Sequence, residues 1–328
     1  MMFRKLVLAA LCLTFFVVVV GAYVRLHDAG LGCPDWPGCY GHLVGVPDQA
    51  HELAKAQQSF GQQVDISRAW KEMFHRYIAG ILGLLLAAIA VIAWLRRAAL
   101  RQSPFLAWSL VVLVLLQAAL GMWTVTMLLK PVIVTLHLLG GMATLGLLAW
   151  LALRQLHLRG SSAATALRLR PWAALGLIIV IVQIALGGWV STNYAALACT
   201  DFPTCHGEWL PQMDFPHAFQ FVRELGMTAA GMPLSQDALT AIHWTHRVGA
   251  LVTLLYVGGL AFAALRVPGL AAHGGALLAV LLLQIGLGVT SVVMHLPLAL
   301  AAAHNAGAAL LLIAMVVLNF ALSLRPAN

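Results

Sequence analysis

Charged residues are scarce in this sequence: Asp, Glu, Lys and Arg make up 9% of 328 residues, against roughly 25% in soluble domains. That shortage excludes an ordinary soluble enzyme. With 62% hydrophobic residues and a mean hydropathy of +0.91, a disordered tail and a fibrous repeat are excluded as well. The apolar run over residues 6–20 lacks a small-residue cleavage site, so it is expected to stay as a span instead of leaving as a signal peptide. An Arg- and Ser-rich leader is missing too, which argues against mitochondrial import and for a bacterial cytoplasmic (inner) membrane.

What remains is apolar sequence in long runs. A helix needs about 20 apolar residues to cross a hydrocarbon layer of about 30 Å. On that criterion eight spans are expected, at residues 5–26, 70–95, 104–127, 131–153, 172–193, 238–265, 273–294 and 298–324. The fold class is therefore an all-α polytopic membrane protein with both termini on one side.

One set of loops also lacks acids. Arg4, Lys5, Arg96, Arg97, Arg101, Arg154, Arg159, Arg168, Arg170, Arg266 and Arg325 share the side of the termini with no acid among them. The other 8 cations and all 11 acids lie on the opposite side or its helix ends. The net charge of +8 is thus +11 on one face and −3 on the other, and cations in short loops mark the cytoplasm. In a soluble chain +8 would suggest nucleic acid. Here it states sidedness, the lipid bilayer is the expected partner, and no nucleic acid is expected.

The sequence matches itself at offsets of 166 to 171 residues. Gln117, Leu120, Gly121 and His137 fall on Gln284, Leu287, Gly288 and His304; Cys33, Asp35, Pro37, Cys39 and Gly41 fall on Cys199, Asp201, Pro203, Cys205 and Gly207; His75-Arg76 falls on His246-Arg247. The chain reads as a duplicated four-helix unit, giving two pseudo-symmetric four-helix bundles over residues 1–160 and 161–328. An even number of spans per unit sends both copies in from the same side, so the pseudo-symmetry axis runs along the membrane normal.

Ionisable groups inside a membrane are costly and face a bundle interior. His75, His137, His246 and His304 form two repeat-related pairs at matching depth, each pair on two helices of one bundle. Gly140 and Gly141, Gly249 and Ala250, and Gly307 and Ala308 follow three of them at i+3 and i+4, on the same helix face. A flat space is left beside each imidazole, and a haem with two axial histidines fits it. A single such histidine would more simply bond a neighbouring helix; two repeat-related pairs favour haem or metal ligation. Zinc fits poorly, because no cysteine or third histidine stands at suitable spacing. His243, three residues before His246, is a rival ligand, but the repeat favours His246 through its successor Arg247.

At the position of His243 the first half has Glu72. A carboxylate one turn from a haem ligand lies over the ring edge and can take a proton or stabilise a developing cation; the alternative is a hydrated acid at the membrane interface. Arg76 and Arg247 either bind haem propionates through their guanidinium forks or snorkel outward to water. The outer cysteines fall in two matched segments, and the prolines and the repeat favour local bonds, Cys33 to Cys39 and Cys199 to Cys205. These are structural clips or, if strained and reducible, a thiol relay. Cys12 is left inside the first span and is expected to pack as an apolar residue.

Taken together, Glu72-Met-Phe-His75-Arg76, His137, His246-Arg247, His304 and the paired outer cysteines resemble the haem A synthase family over nearly the whole chain. The resemblance implies an oxidoreductase that converts the C8 methyl of haem O to the formyl of haem A for cytochrome oxidase assembly. It implies that His75 and His137 ligate the substrate haem in residues 1–160, and that His246 and His304 ligate a haem b cofactor in residues 161–328. Glu72 matches the acid of turnover. The loop cysteines match a family feature given a role in electron or haem handover. The implied partners are a haem O synthase (protohaem farnesyltransferase) and a membrane electron acceptor; a homo-oligomer is compatible with the pattern. The competing reading is a di-haem cytochrome b subunit passing electrons from quinol to a partner. Such subunits typically stack their haems across the membrane, whereas these histidines all lie near one face. A transporter would need broken helices at the midplane.

Overall fold

The computed structural model describes residues 2–100, 102–156 and 164–324. Among these the regular structure is helical, with three isolated β-bridges in the loops and no strand. Eight helices are long and apolar enough to cross a membrane: Met2–Leu26, Ile66–Leu95, Phe105–Thr126, Pro131–Arg154, Ala164–Thr192, Gln236–Leu265, Ala271–Val293 and Leu298–Ser323. We refer to them as the first to eighth spans. The protein is an all-α polytopic membrane protein, as its composition requires.

Two span ends differ from the hydropathy reading by four residues or more. The second span begins at Ile66, four residues early, because the Asp65 carboxylate caps it by accepting from the Arg68 N–H at 3.0 Å. The fifth begins at Ala164 and runs through Pro171. Its first turns carry Arg168 and Arg170, which sequence assigned to the linker; a helix that leaves the apolar layer needs no hydropathy to continue. Arg101, Arg159 and Arg325, and the division at residues 160/161, lie outside the described residues.

Each run of four spans packs as a ring, first on second, second on third, third on fourth and fourth on first; the fifth to eighth repeat the pattern. Between the rings, the first span packs on the eighth, the fifth on the fourth, and the fourth on the eighth. Those contacts exchange into one another when the halves are swapped, as a two-fold interface demands. Closest to the axis, equivalent residues touch each other: Arg25 donates to the Ser191 carbonyl at 2.8 Å and Tyr194 to Asp28 at 2.8 Å, both pairs 166 residues apart. Arg25 also stacks on the Tyr194 ring, 4.1 Å from its centroid.

The loops repeat in backbone detail. Disulfides close Cys33–Cys39 and Cys199–Cys205, each enclosing a cis proline, Trp36-Pro37 or Phe202-Pro203. Tyr40 and Gly41 take positive φ, as do His206 and Gly207. Asp35 stabilises the first turn by accepting from the N–H groups of Tyr40 and Gly41 (2.6 and 2.8 Å), and Asp201 does so for His206 and Gly207 (2.8 and 2.9 Å). Both loops lie on the face where His-bearing spans begin. Two short helices in the loops, Ala50–Phe60 and Phe215–Ala218, were not foreseen.

Lipid tails are as apolar as leucine, so tight packing holds such bundles together more than hydrophobic transfer does. The buried residues accordingly mix leucine with alanine. Phe3, Val7, Ala10, Leu86, Ile89, Ala90, Ala107, Leu110 and Leu148 form one core in the first ring. A second joins Met142, Leu145 and Ala149 of the fourth span to Ala173, Val257, Ala261, Leu277, Leu281, Leu312 and Met315. Both cores sit toward the ends of the spans remote from the disulfide loops. On the first span no residue between Thr14 and Val24 is buried, and on the eighth none before Gly307. The level left unpacked is the level of the histidines.

Candidate functional site

Four helices that begin at the disulfide face carry one histidine each. His75 and His246 lie nine and ten residues into the second and sixth spans, and His137 and His304 six residues into the fourth and eighth. At 1.5 Å per residue these are about 14 and about 9 Å along their helices. All four are part-exposed. His75, His137 and His304 each keep a buried Nδ1 with no partner.

Glycines from the neighbouring helix face each ring. A Cβ at Gly21 would lie 2.9 Å from His75 Cε1, at Gly187 3.0 Å from His246 Cε1, at Gly121 3.4 Å from His137 Cε1 and at Gly288 2.9 Å from His304 Cε1. His75, His246 and His304 are thus seated on backbone, where a side chain would push them aside, and His137 lies at van der Waals distance from a Cβ at its glycine. The small residues at i+3 play a different part: Cβ atoms at Gly140, Gly249 and Gly307 would strike the amides of Gln117, Gln183 and Gln284. Sequence reasoning used Gln117 and Gln284 only as repeat markers and missed Gln183. The available signal was a glutamine inside an apolar span.

The spacing in the second half tests whether a haem fits. The His246 and His304 ring centroids are 6.5 Å apart, with planes at 88°. Two metal–imidazole bonds of about 2.0 Å each, plus the ring radii at either end, span roughly 6 Å. That spacing leaves room for one iron between the two rings. Among the described residues no group of three or more His, Cys, Asp or Glu is poised for a metal ion, so nothing there favours zinc.

Glu72 is buried, 5% exposed, which removes the hydrated-interface alternative. Its Oε2 accepts from the Cys33 N–H at 2.9 Å, and its Oε1 pairs with Arg76. Arg76 also donates to the carbonyls of Asp35 (3.0 Å), Pro37 (3.3 Å) and Gly38. The carboxylate and guanidinium thus tie the first disulfide loop down onto the second span. Gly32 permits that approach, since a Cβ there would be 2.6 Å from the Arg68 carbonyl carbon.

The second half repeats the tie with different chemistry. Cys199 N–H lies 3.3 Å from His243 Nδ1, and Arg247 Nε is 3.3 Å from His243 Nε2. Arg247 donates to the Thr204 and Cys199 carbonyls at 2.7 and 2.8 Å. His243, 4% exposed, is therefore the counterpart of Glu72 in place and in task. Both arginines are part-exposed and reach loop carbonyls. Cys12 corrects an expectation: it is exposed on the first span, not packed. A thiol behaves as a small apolar group, so a lipid-facing position suits it.

Outside the spans, burial raises the Tyr40 and Tyr194 hydroxyls above the usual phenol range. Asp201 is held well below the usual carboxylate range, first by the Thr204 hydroxyl (2.6 Å) and then by the loop N–H groups.

A family model described as cytochrome oxidase assembly protein (COX15-CtaA) matches residues 4–316. A haem A synthase of Shewanella oneidensis is 44% identical over 312 residues, covering 94% of this chain and 93% of that protein. Haem A synthases of Chelativorans and Caulobacter species are each 29% identical, covering 94% and 92% of this chain and 85% and 90% of theirs.

Proposed function

The chain belongs to the haem A synthase family of cytochrome oxidase assembly proteins, and on that premise we propose that it oxidises the C8 methyl of haem O to the formyl of haem A. The observation that carries this reading is that two histidine pairs share one scaffold while a buried carboxylate stands beside only one of them. His75 and His137 hold the substrate haem in residues 1–160. His246 and His304 hold haem b in residues 161–328, in line with their 6.5 Å spacing. A haem b bound there supplies a one-electron carrier for a reaction that removes electrons in stages.

Glu72 supplies the acid–base chemistry. A carboxylate has about four lone-pair sites, and Cys33 and Arg76 engage two of them. The remainder can hold a water and take its proton, or face a cation developing at the methyl carbon. Arg76 keeps the carboxylate in place by binding it and the loop above it. In this reading both arginines can also meet propionate edges without releasing their loops, because a guanidinium has five donors.

The same reading puts the protein in a bacterial inner membrane with both termini in the cytoplasm, supported by eleven cations and no acid in the segments on that side. The disulfide loops and the chemistry then face outward. A haem O synthase is the partner that would deliver substrate. To test the proposal, the protein is co-expressed with a haem O synthase, purified, and its extracted haems identified by mass spectrometry. Haem A and its hydroxylated precursor are expected; absence of both under turnover conditions overturns it.

A further inference from the structure

One ligand is held by a side chain that its repeat mate lacks. On the fifth span, Gln183 Nε2 lies 3.1 Å from His246 Nδ1 and donates to the His246 carbonyl at 3.0 Å, while its Oε1 is buried without a partner. Gly249, three residues after His246, makes room for that amide. The register of the first span against the fifth is fixed by Gly21 and Gly187, which face the Cε1 edges of His75 and His246 alike. The same 166-residue step from Gln183 arrives at Val17. His75 Nδ1 is accordingly buried with no partner.

A histidine that binds metal through one ring nitrogen needs the other N–H tied to an acceptor, which fixes both tautomer and orientation. Gln183 can meet that need by a half-turn of its amide, which brings the unpartnered oxygen to Nδ1 and gives up the donation to the His246 carbonyl. Valine offers no acceptor. A resident cofactor and a passing substrate place opposite demands on a ligand: the first must stay and the second must leave. We propose that Gln183 is a positioning residue that locks His246 as a lasting haem ligand, and that Val17 leaves His75 free to release its haem. The inference rests on the assignment of haem b to the second half made above.

Transfer of haem from the detergent-solubilised protein to excess apomyoglobin, with the released haem identified by mass, reads the effect directly. Gln183→Leu should speed loss of haem b by about tenfold to a hundredfold, the usual range for removing such a partner. Gln183→Glu keeps an acceptor; it should hold haem b at close to the parental rate and lower its midpoint potential. Val17→Gln should slow release of haem O and haem A. Parental haem b loss in Gln183→Leu, or equal retention by the Leu and Glu variants, overturns the role of Gln183. Unchanged release from Val17→Gln overturns the claim for His75. The unsubstituted protein is measured first: if it carries no haem b, the cofactor assignment fails and this inference with it. If it carries haem b that Gln183→Leu releases no faster, the inference alone fails.

Discussion

In the first half an acid joins the disulfide loop to the membrane helix, and in the second half an imidazole does. Both accept from a backbone N–H of the first loop cysteine and both contact the arginine four residues on. A neutral imidazole has one acceptor nitrogen, so only one of its two contacts can be a hydrogen bond at a time. A carboxylate satisfies both and retains capacity. Duplication thus preserved the backbone of the loop, down to its cis prolines and positive φ residues, and varied the one group with spare chemistry. The scaffold is shared, and under the proposed function the presence of Glu72 where the second half has His243 is what makes the first half reactive.

The sharpest way to break this comparison is to remove each acceptor in turn. Glu72→Ala should cut haem A formation by about 100- to 1,000-fold, the range for losing one transition-state stabiliser, and keep haem b bound. His243→Ala should cost less than about tenfold by the same measure. Haem extraction and mass spectrometry report both. Equal losses would mean the two positions do one job, and the assignment of catalysis to the first half would fall.

A smaller effect separates the arginines. Arg76→Ala leaves a buried carboxylate uncompensated, which costs about 3–5 kcal/mol. Arg247→Ala leaves only neutral carbonyls and an imidazole unpaired, for about 1–3 kcal/mol. The ordering should show in the midpoints of denaturant titrations, and as faster reduction of Cys33–Cys39 in Arg76→Ala than of Cys199–Cys205 in Arg247→Ala. A reversed order would place the stronger tie in the second half.

Next in size is the contact on the pseudo-two-fold axis. Tyr194→Phe removes the hydroxyl that donates to Asp28 and should cost about 1 kcal/mol. Asp28→Ala in the same background should then add little beyond the loss of its pair with Arg25 at 3.6 Å, which is solvent-exposed at Asp28, since partners in one contact do not act additively. Full additivity in a double-mutant cycle would show that the two halves are not coupled there.

Much of this was legible in sequence, for reasons that differ by level. Spans are set by hydropathy over some 20 residues, a signal that neighbours hardly alter, so eight were foreseen and eight found. The histidine pairs, and the pairing of Cys33 with Cys39 and Cys199 with Cys205, showed through the repeat. Contacts made at one atom did not. That Glu72 is buried under Cys33, and that Arg76 and Arg247 grip loop carbonyls, depends on how a 39-residue connection folds back, which no local period encodes. Gln183 escaped because its mate is Val17: a repeat draws the eye to what matches, and the specialising residue is the mismatch.

The mildest test concerns the second loop alone. The Asp201 carboxylate accepts from the Thr204 hydroxyl and from the N–H groups of His206 and Gly207, and its folded pKa lies below the ordinary 3.8. A depressed folded pKa means that ionised Asp201 stabilises the loop at every pH above the unfolded value, and that this contribution fades as acid drives pH through the folded one. From pH 7 to about pH 5 the loop should therefore resist proteolysis unchanged, with nicking between Cys199 and Glu208 rising only below about pH 4. Asp201→Asn should be nicked already at pH 7 and show no further rise on acidification. Because the group is solvated, the effect stays local, and haem content should not change. If Asp201→Asn behaves as the parent at pH 7, the matched turn is held by its disulfide and backbone alone.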